Sequence, residues 1–123
     1  MPVYHLAILH VHLAREYAEA LETLVRQATA TSTPPPLAVA HALHHYAAII
    51  AHRLGVGAPP NANGLTPAML HETQQQLDAL DALLTRAHRT RLISPTRYDL
   101  ITSVSKTLAA ELATLQREAP AHE

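Results

Sequence analysis

LAVAHALHHYAAIIAHRL, residues 37–54, is the stretch that decides how the chain is read. At about 100° of turn per residue, Val39, Leu43, Tyr46, Ile50 and Leu54 gather on one side of a helix. His41, His44, His45 and His52 fall opposite, within about a third of the circumference. The spacing predicts an amphipathic helix whose polar face is made of imidazole. Such a face suits a solvated surface, a pH-sensitive contact or a metal platform.

Outward from this segment, prolines and glycines divide the chain into four pieces. Thr33-Pro34-Pro35-Pro36 separates the first from the second, because consecutive prolines cannot continue a helix. Gly55 stands where a left-handed C-terminal cap is expected, and GVGAPPNANGLT, residues 55–66, has loop composition. Thr66-Pro67 and Ser94-Pro95 each place a capping hydroxyl before a proline suited to the first helical position.

Between these breaks the apolar spacing is helical and nowhere alternates as a strand would. The first piece gives Leu6, Leu9, Leu13, Tyr17, Leu21, Leu24 and Ala28. The third gives Leu70, Thr73, Leu77, Leu80, Leu84 and Ala87, and the fourth Tyr98, Ile101, Ser105, Leu108, Leu112 and Leu115. The expectation is an all-α single domain: an antiparallel four-helix bundle with helices at about 3–30, 36–54, 67–92 and 95–118.

Composition narrows the function classes. The 123 residues suit one core rather than two. Phe and Trp are absent and tyrosine occurs four times, so the core is Leu, Ile, Val and Ala. With no cysteine, disulfides, thiolate metal sites and cysteine nucleophiles are excluded, which fits a cytoplasmic setting. Nine Lys+Arg against ten Asp+Glu leave no field that favours nucleic acid or an anionic membrane. Ten histidines make the chain strongly cationic only once imidazoles titrate, below about pH 6.5. The apolar start lacks a basic n-region, and its run of about 14 residues is too short to span a bilayer.

One irregularity points to self-association. Residues 3–13 are apolar nearly all round, with Tyr4, Ile8 and Val11 off the stripe that faces the bundle. A helix buried on every side needs a second cover, so these three residues are expected to meet another subunit.

Candidate chemistry lies in four groups. His12-x3-Glu16 and His41-x3-His45 have the i, i+4 spacing that aims two ligands at one ion, and His52 extends the second pair. Imidazole donors suit Zn, Ni, Cu or Fe. These pairs resemble the iron ligands of hemerythrin-like four-helix bundles. The fourth segment, however, offers no histidine or carboxylate at a matching interior position, and the ligand faces turn away from the apolar stripes. Membership is therefore not claimed. His10, on the apolar side of the first helix, reads as a hydrogen-bonded core histidine with Tyr17 or Tyr46 as partner. Glu16-x2-Glu19 and Asp78-x2-Asp81 resemble the acidic pairs with which all-helical nucleotide pyrophosphatases hold Mg²⁺. Here a histidine-bearing segment intervenes, so they read as surface charge. Arg86, Arg89, Arg91 and Arg97 cluster near the last turn and are candidates to grip phosphates, without aromatics for base stacking.

The function expected is a non-enzymatic, homo-oligomeric helical-bundle binding or adaptor protein with a histidine-lined surface. It would work as a dimer and with a further protein partner, without nucleic acid, membrane or resident cofactor. The alternatives are a metal-binding bundle using His41, His45 and His52, with His12 and Glu16, and a small helical subunit of a nucleic-acid-binding complex.

Overall fold

A computed structural model describes residues 2–31, 35–56 and 65–118, and the side chains of 9–31, 35–56 and 65–117 among them. Its elements are α1 (Pro2–Thr29), α2 (Leu37–Leu54), α3 (Pro67–Arg89) and α4 (Pro95–Glu118), with no strand among the described residues.

Local signals set most of the helix ends. Thr66 Oγ1 accepts from Met69 N–H at 3.1 Å and caps α3, with Pro67 in its first turn. Ser94 Oγ accepts from Arg97 N–H at 3.2 Å and caps α4 in the same way. The N-cap of α2 is Pro36, which brings no side-chain cap. At its other end Gly55 takes φ 75°, and the Gly55 and Val56 N–H groups return to the carbonyls of His52 and Ala51. That is the left-handed exit glycine permits at least cost.

The end of α3 differs from expectation by three residues. Instead of running to 92 it stops at Arg89, with Thr90 as C-cap. The Arg91 and Leu92 N–H groups bond back to the carbonyls of His88 and Ala87, and Arg91 holds φ 60°. This is the same exit as at Gly55, with an arginine in the left-handed position. The following Ile93 is buried, which anchors the turn.

The helices form a ring in which α1 touches α2 and α4, and α3 touches the same two; neither diagonal pair is in contact among the described residues. Hydrogen bonds fix an antiparallel register. Arg15 and Thr29 of α1 bond to Leu54 and His44 of α2, while His10 and Gln27 of α1 bond to Glu111 and Arg97 of α4. Asp81 and Thr85 of α3 meet Ser105 and Tyr98 of α4. Between α2 and α3, the ion pair of Arg53 with Glu72 spans 3.4 Å.

Leu21, Leu43, Ile50, Leu54, Leu70, Leu77, Leu80, Leu84, Ile101, Leu108 and Leu112 fill the interior, each fully buried. Each such side chain contributes about 1.5–3 kcal/mol relative to its exposed state. The α3 stripe is buried at every position the spacing names, from Leu70 to Ala87. On α1 the stripe is turned. Its buried line is Val11, Ala14, Ala18, Leu21, Val25 and Ala28, whereas Leu13, Tyr17 and Leu24 lie on its flank and Leu9 is 49% exposed. Alanines at 14 and 18 let α1 approach its neighbours closely, and the bulkier residues fill the seams beside them. Val11 is therefore corrected. It is only 1% exposed, inside its own subunit's core rather than on a partner-facing surface. The side chains of Tyr4 and Ile8 lie outside the described residues.

Candidate functional site

The segment that bears four histidines folds with its apolar side inward, as its period requires. Leu43, Ala47, Ile50, Ala51 and Leu54 are buried, and His41, His44, His45 and His52 are all exposed. The exposed surface continues through Ala38 and Ala48 to Leu37, which is 71% exposed. Residues 37–54 contain no Asp, Glu or Lys, and their one arginine, Arg53, turns to Glu72 of α3. This face consists of imidazole, methyl and isobutyl groups.

The four histidines are held differently. His44 Nε2 lies 2.6 Å from Thr29 Oγ1. That hydroxyl also lies 3.1 Å from the Val25 and Arg26 carbonyls, and the His44 ring leans toward α1. His41 and His45 make no hydrogen bond among the described residues; the His45 ring lies tilted 5.9 Å from that of Tyr46. His12 Nε2 sits 3.4 Å from Glu16 Oε1 on α1, an exposed i, i+4 pair. Among the described residues, no three His, Asp or Glu side chains come together where they could hold a metal ion. The five-residue set of His41, His45, His52, His12 and Glu16 is thus not assembled within one subunit. His52 is seven residues past His45, about 10 Å along the axis, which is beyond sharing one ion.

His10 is part-buried, as its place on α1 suggests, but its partner is neither tyrosine. Its Nδ1 lies 2.7 Å from Glu111 Oε2, with the two side chains 21% and 15% exposed. Helix α4 therefore does supply a largely interior carboxylate, contrary to the sequence reading. Glu111 adjoins Leu112 in the buried stripe, and its carboxylate reaches back across the seam to α1. The pair ties the early turns of α1 to the late turns of α4.

A second polar group lies between α3 and α4. Ser105 is 1% exposed, and its hydroxyl donates to Asp81 Oδ1 at 2.6 Å. Burial pushes the Asp81 carboxyl above its usual 3.8; the Ser105 hydrogen bond pulls the other way, Asp78 adds to the rise and Lys106 opposes it. Asp81, Ala82, Thr85, Arg86 and Arg89 line an open groove of about 410 Å³. Nearby, His88 stacks on Tyr98 at 4.1 Å with its Nδ1 buried and unbonded among the described residues.

The four arginines are placed differently. Arg86 and Arg89 share the groove, where the Asp81 carboxylate opposes an incoming phosphate. Arg97 donates to Gln27 Oε1 at 3.1 Å, and Arg91 stands exposed in the turn between α3 and α4. The acidic pairs are likewise apart. Glu16 and Glu19 border a groove made by α1 alone, and α1 does not touch the α3 helix that bears Asp78 and Asp81. No helix among the described residues is long and apolar enough to cross a membrane.

Glu111 escaped the sequence reading and could have been found by its adjacency to the stripe. Asp81 was singled out there only as surface charge, whereas it is partly buried on the seam with Ser105. Compared with protein-family models, curated proteins and solved structures, the chain matches none of them.

Proposed function

We propose that this chain is a non-enzymatic, homo-oligomeric binding or adaptor module whose contact surface is the outward face of α2. One observation carries the reading. Four exposed histidines lie with exposed Leu37, Ala38 and Ala48 on a helix that has no Asp, Glu or Lys. A helix face that meets only water ordinarily carries lysines and carboxylates, and interface centres are depleted in them. The apolar early turns of α1, with Tyr4 and Ile8, are a second place where a subunit could be met. A cytoplasmic setting fits the cysteine-free chain.

The physics of this face makes association depend on pH. Neutral imidazoles allow two such faces to meet, and protonation puts like charges on both. The test is solution mass by light scattering from about pH 8 to about pH 5. A dimer at the upper end that falls to the monomer mass at the lower end is expected. A monomer throughout, or an oligomer whose mass ignores pH, contradicts the proposal.

A further inference from the structure

We propose that His41 and His45 are one half of a divalent transition-metal site, completed by His41 and His45 of a second copy, so that one ion clips two α2 faces together. This rests on the reading of that face as a self-association surface and gives it a chemical ligand.

The geometry begins with the helix. Residues at i and i+4 stand about 6 Å apart at Cβ and point the same way. Two imidazoles on such arms can bring their ring nitrogens to a common point about 2 Å from each. Both side chains are exposed and make no hydrogen bond among the described residues, so turning toward an ion disturbs only the tilted ring contact of His45 with Tyr46. His44 does not compete, since Thr29 holds it toward α1, and His52 is too far along the axis to share the ion.

Two ligands are an incomplete site. Tetrahedral zinc-type centres take four, and no third His, Asp or Glu joins the pair within the described residues. The remaining donors must come from outside the subunit, and the face indicates their source. It has no lysine to repel a cation and no carboxylate to offer a different donor. Ala38 and Ala48 lie one helical turn to either side of the pair, and their small side chains do not block a second helix from reaching it. A two-fold axis passing between His41 and His45 sets the same pair opposite itself, giving four imidazoles around one point. An all-imidazole donor set selects zinc, copper or nickel over magnesium or calcium.

The experiment uses the full chain stripped with a chelator, then given zinc chloride at neutral pH, with mass and bound zinc measured on the same sample. One zinc per two chains is expected, with dimerisation tightened by about tenfold or more. His41→Ala or His45→Ala should each abolish zinc uptake and the tightening, while His52→Ala should leave both unchanged. All three positions are exposed, and helical circular dichroism confirms that each variant folds. Zinc bound at one per chain without a change in mass overturns the clip, as does uptake insensitive to His41→Ala. A chain equally dimeric with and without zinc overturns the clip and leaves the association surface standing. A chain monomeric in both states overturns both.

Discussion

On α3 the exposed positions are Pro67, Ala68, His71, Glu72, Gln75, Asp78, Ala82, Arg86 and Arg89; on α2 they are Leu37, Ala38, His41, His44, His45, Ala48 and His52. Inside, the two helices are alike, each burying a Leu- or Ile-containing stripe in the same core. Outside, α3 mixes charges of both signs as a solvated helix does, whereas α2 carries imidazoles and alkyl groups. The fold needs only the inner stripes, and the proposed association surface would account for the difference outside. Water suits α3, and a second surface suits α2.

The largest effects should fall where the helices are alike. Ile50→Ala on α2 and Leu80→Ala on α3 each remove a fully buried side chain. Both should cost about 2–5 kcal/mol in denaturant unfolding, and a cost confined to one of them would break the claim of equivalent inner faces. The outer faces should then separate. His45→Glu puts one negative charge on each copy and should weaken association by about tenfold or more, about 1.4 kcal/mol. Asp78→Lys on α3 should leave the mass unchanged and stability within about 0.5 kcal/mol.

Smaller effects sharpen the comparison at the helix exits. The same turn follows both helices, with Gly55 at φ 75° after α2 and Arg91 at φ 60° after α3. Gly55→Ala should destabilise by about 1 kcal/mol, while Arg91→Gly should stabilise by up to about 1 kcal/mol, measured by thermal melting. In Gly55→Ala a new methyl would also stand 2.8 Å from the Arg15 guanidinium, which must shift.

The smallest effect is a dependence on pH. Burial raises the folded-state pKa of Asp81 above 3.8, so the folded protein holds that proton more tightly than the unfolded chain. The resulting stability is fully present below the ordinary value and is lost as pH rises through the raised one. Asp81→Asn keeps an oxygen for the Ser105 hydroxyl and removes the titration. The variant should be at least as stable as the parent at neutral pH and should lack the decline just above pH 3.8. A parent and variant with parallel pH profiles would contradict this reading of Asp81.

How far the sequence could be read follows from side-chain size. The α3 stripe was legible at every position because leucines at 3–4 spacing alternate with Gln and Asp. The α2 stripe was legible because its polar side is so uniform. On α1, weakly apolar Ala14 and Ala18 hold the core line, and larger Leu13 and Tyr17 drew the reading one position round; Val11 was misplaced with them. Thr66, Ser94 and Gly55 announced their turns, whereas Arg91 could not, since nothing in its side chain favours the left-handed region. The outward set of α2 histidines was visible from period alone. The His10–Glu111 and Asp81–Ser105 bonds were not, because each joins residues remote in sequence across a seam whose register only the packed helices define.

Acylation of histidine by diethyl pyrocarbonate tests the central claim most directly, because the same chemistry reads both helices. His71 on α3 and His41, His45 and His52 on α2 are all exposed in the single subunit. The account predicts that at high protein concentration the α2 histidines react several-fold more slowly than His71, and that dilution brings the rates together. Equal rates at every concentration, or slower reaction at His71, would show that the histidine face meets only solvent.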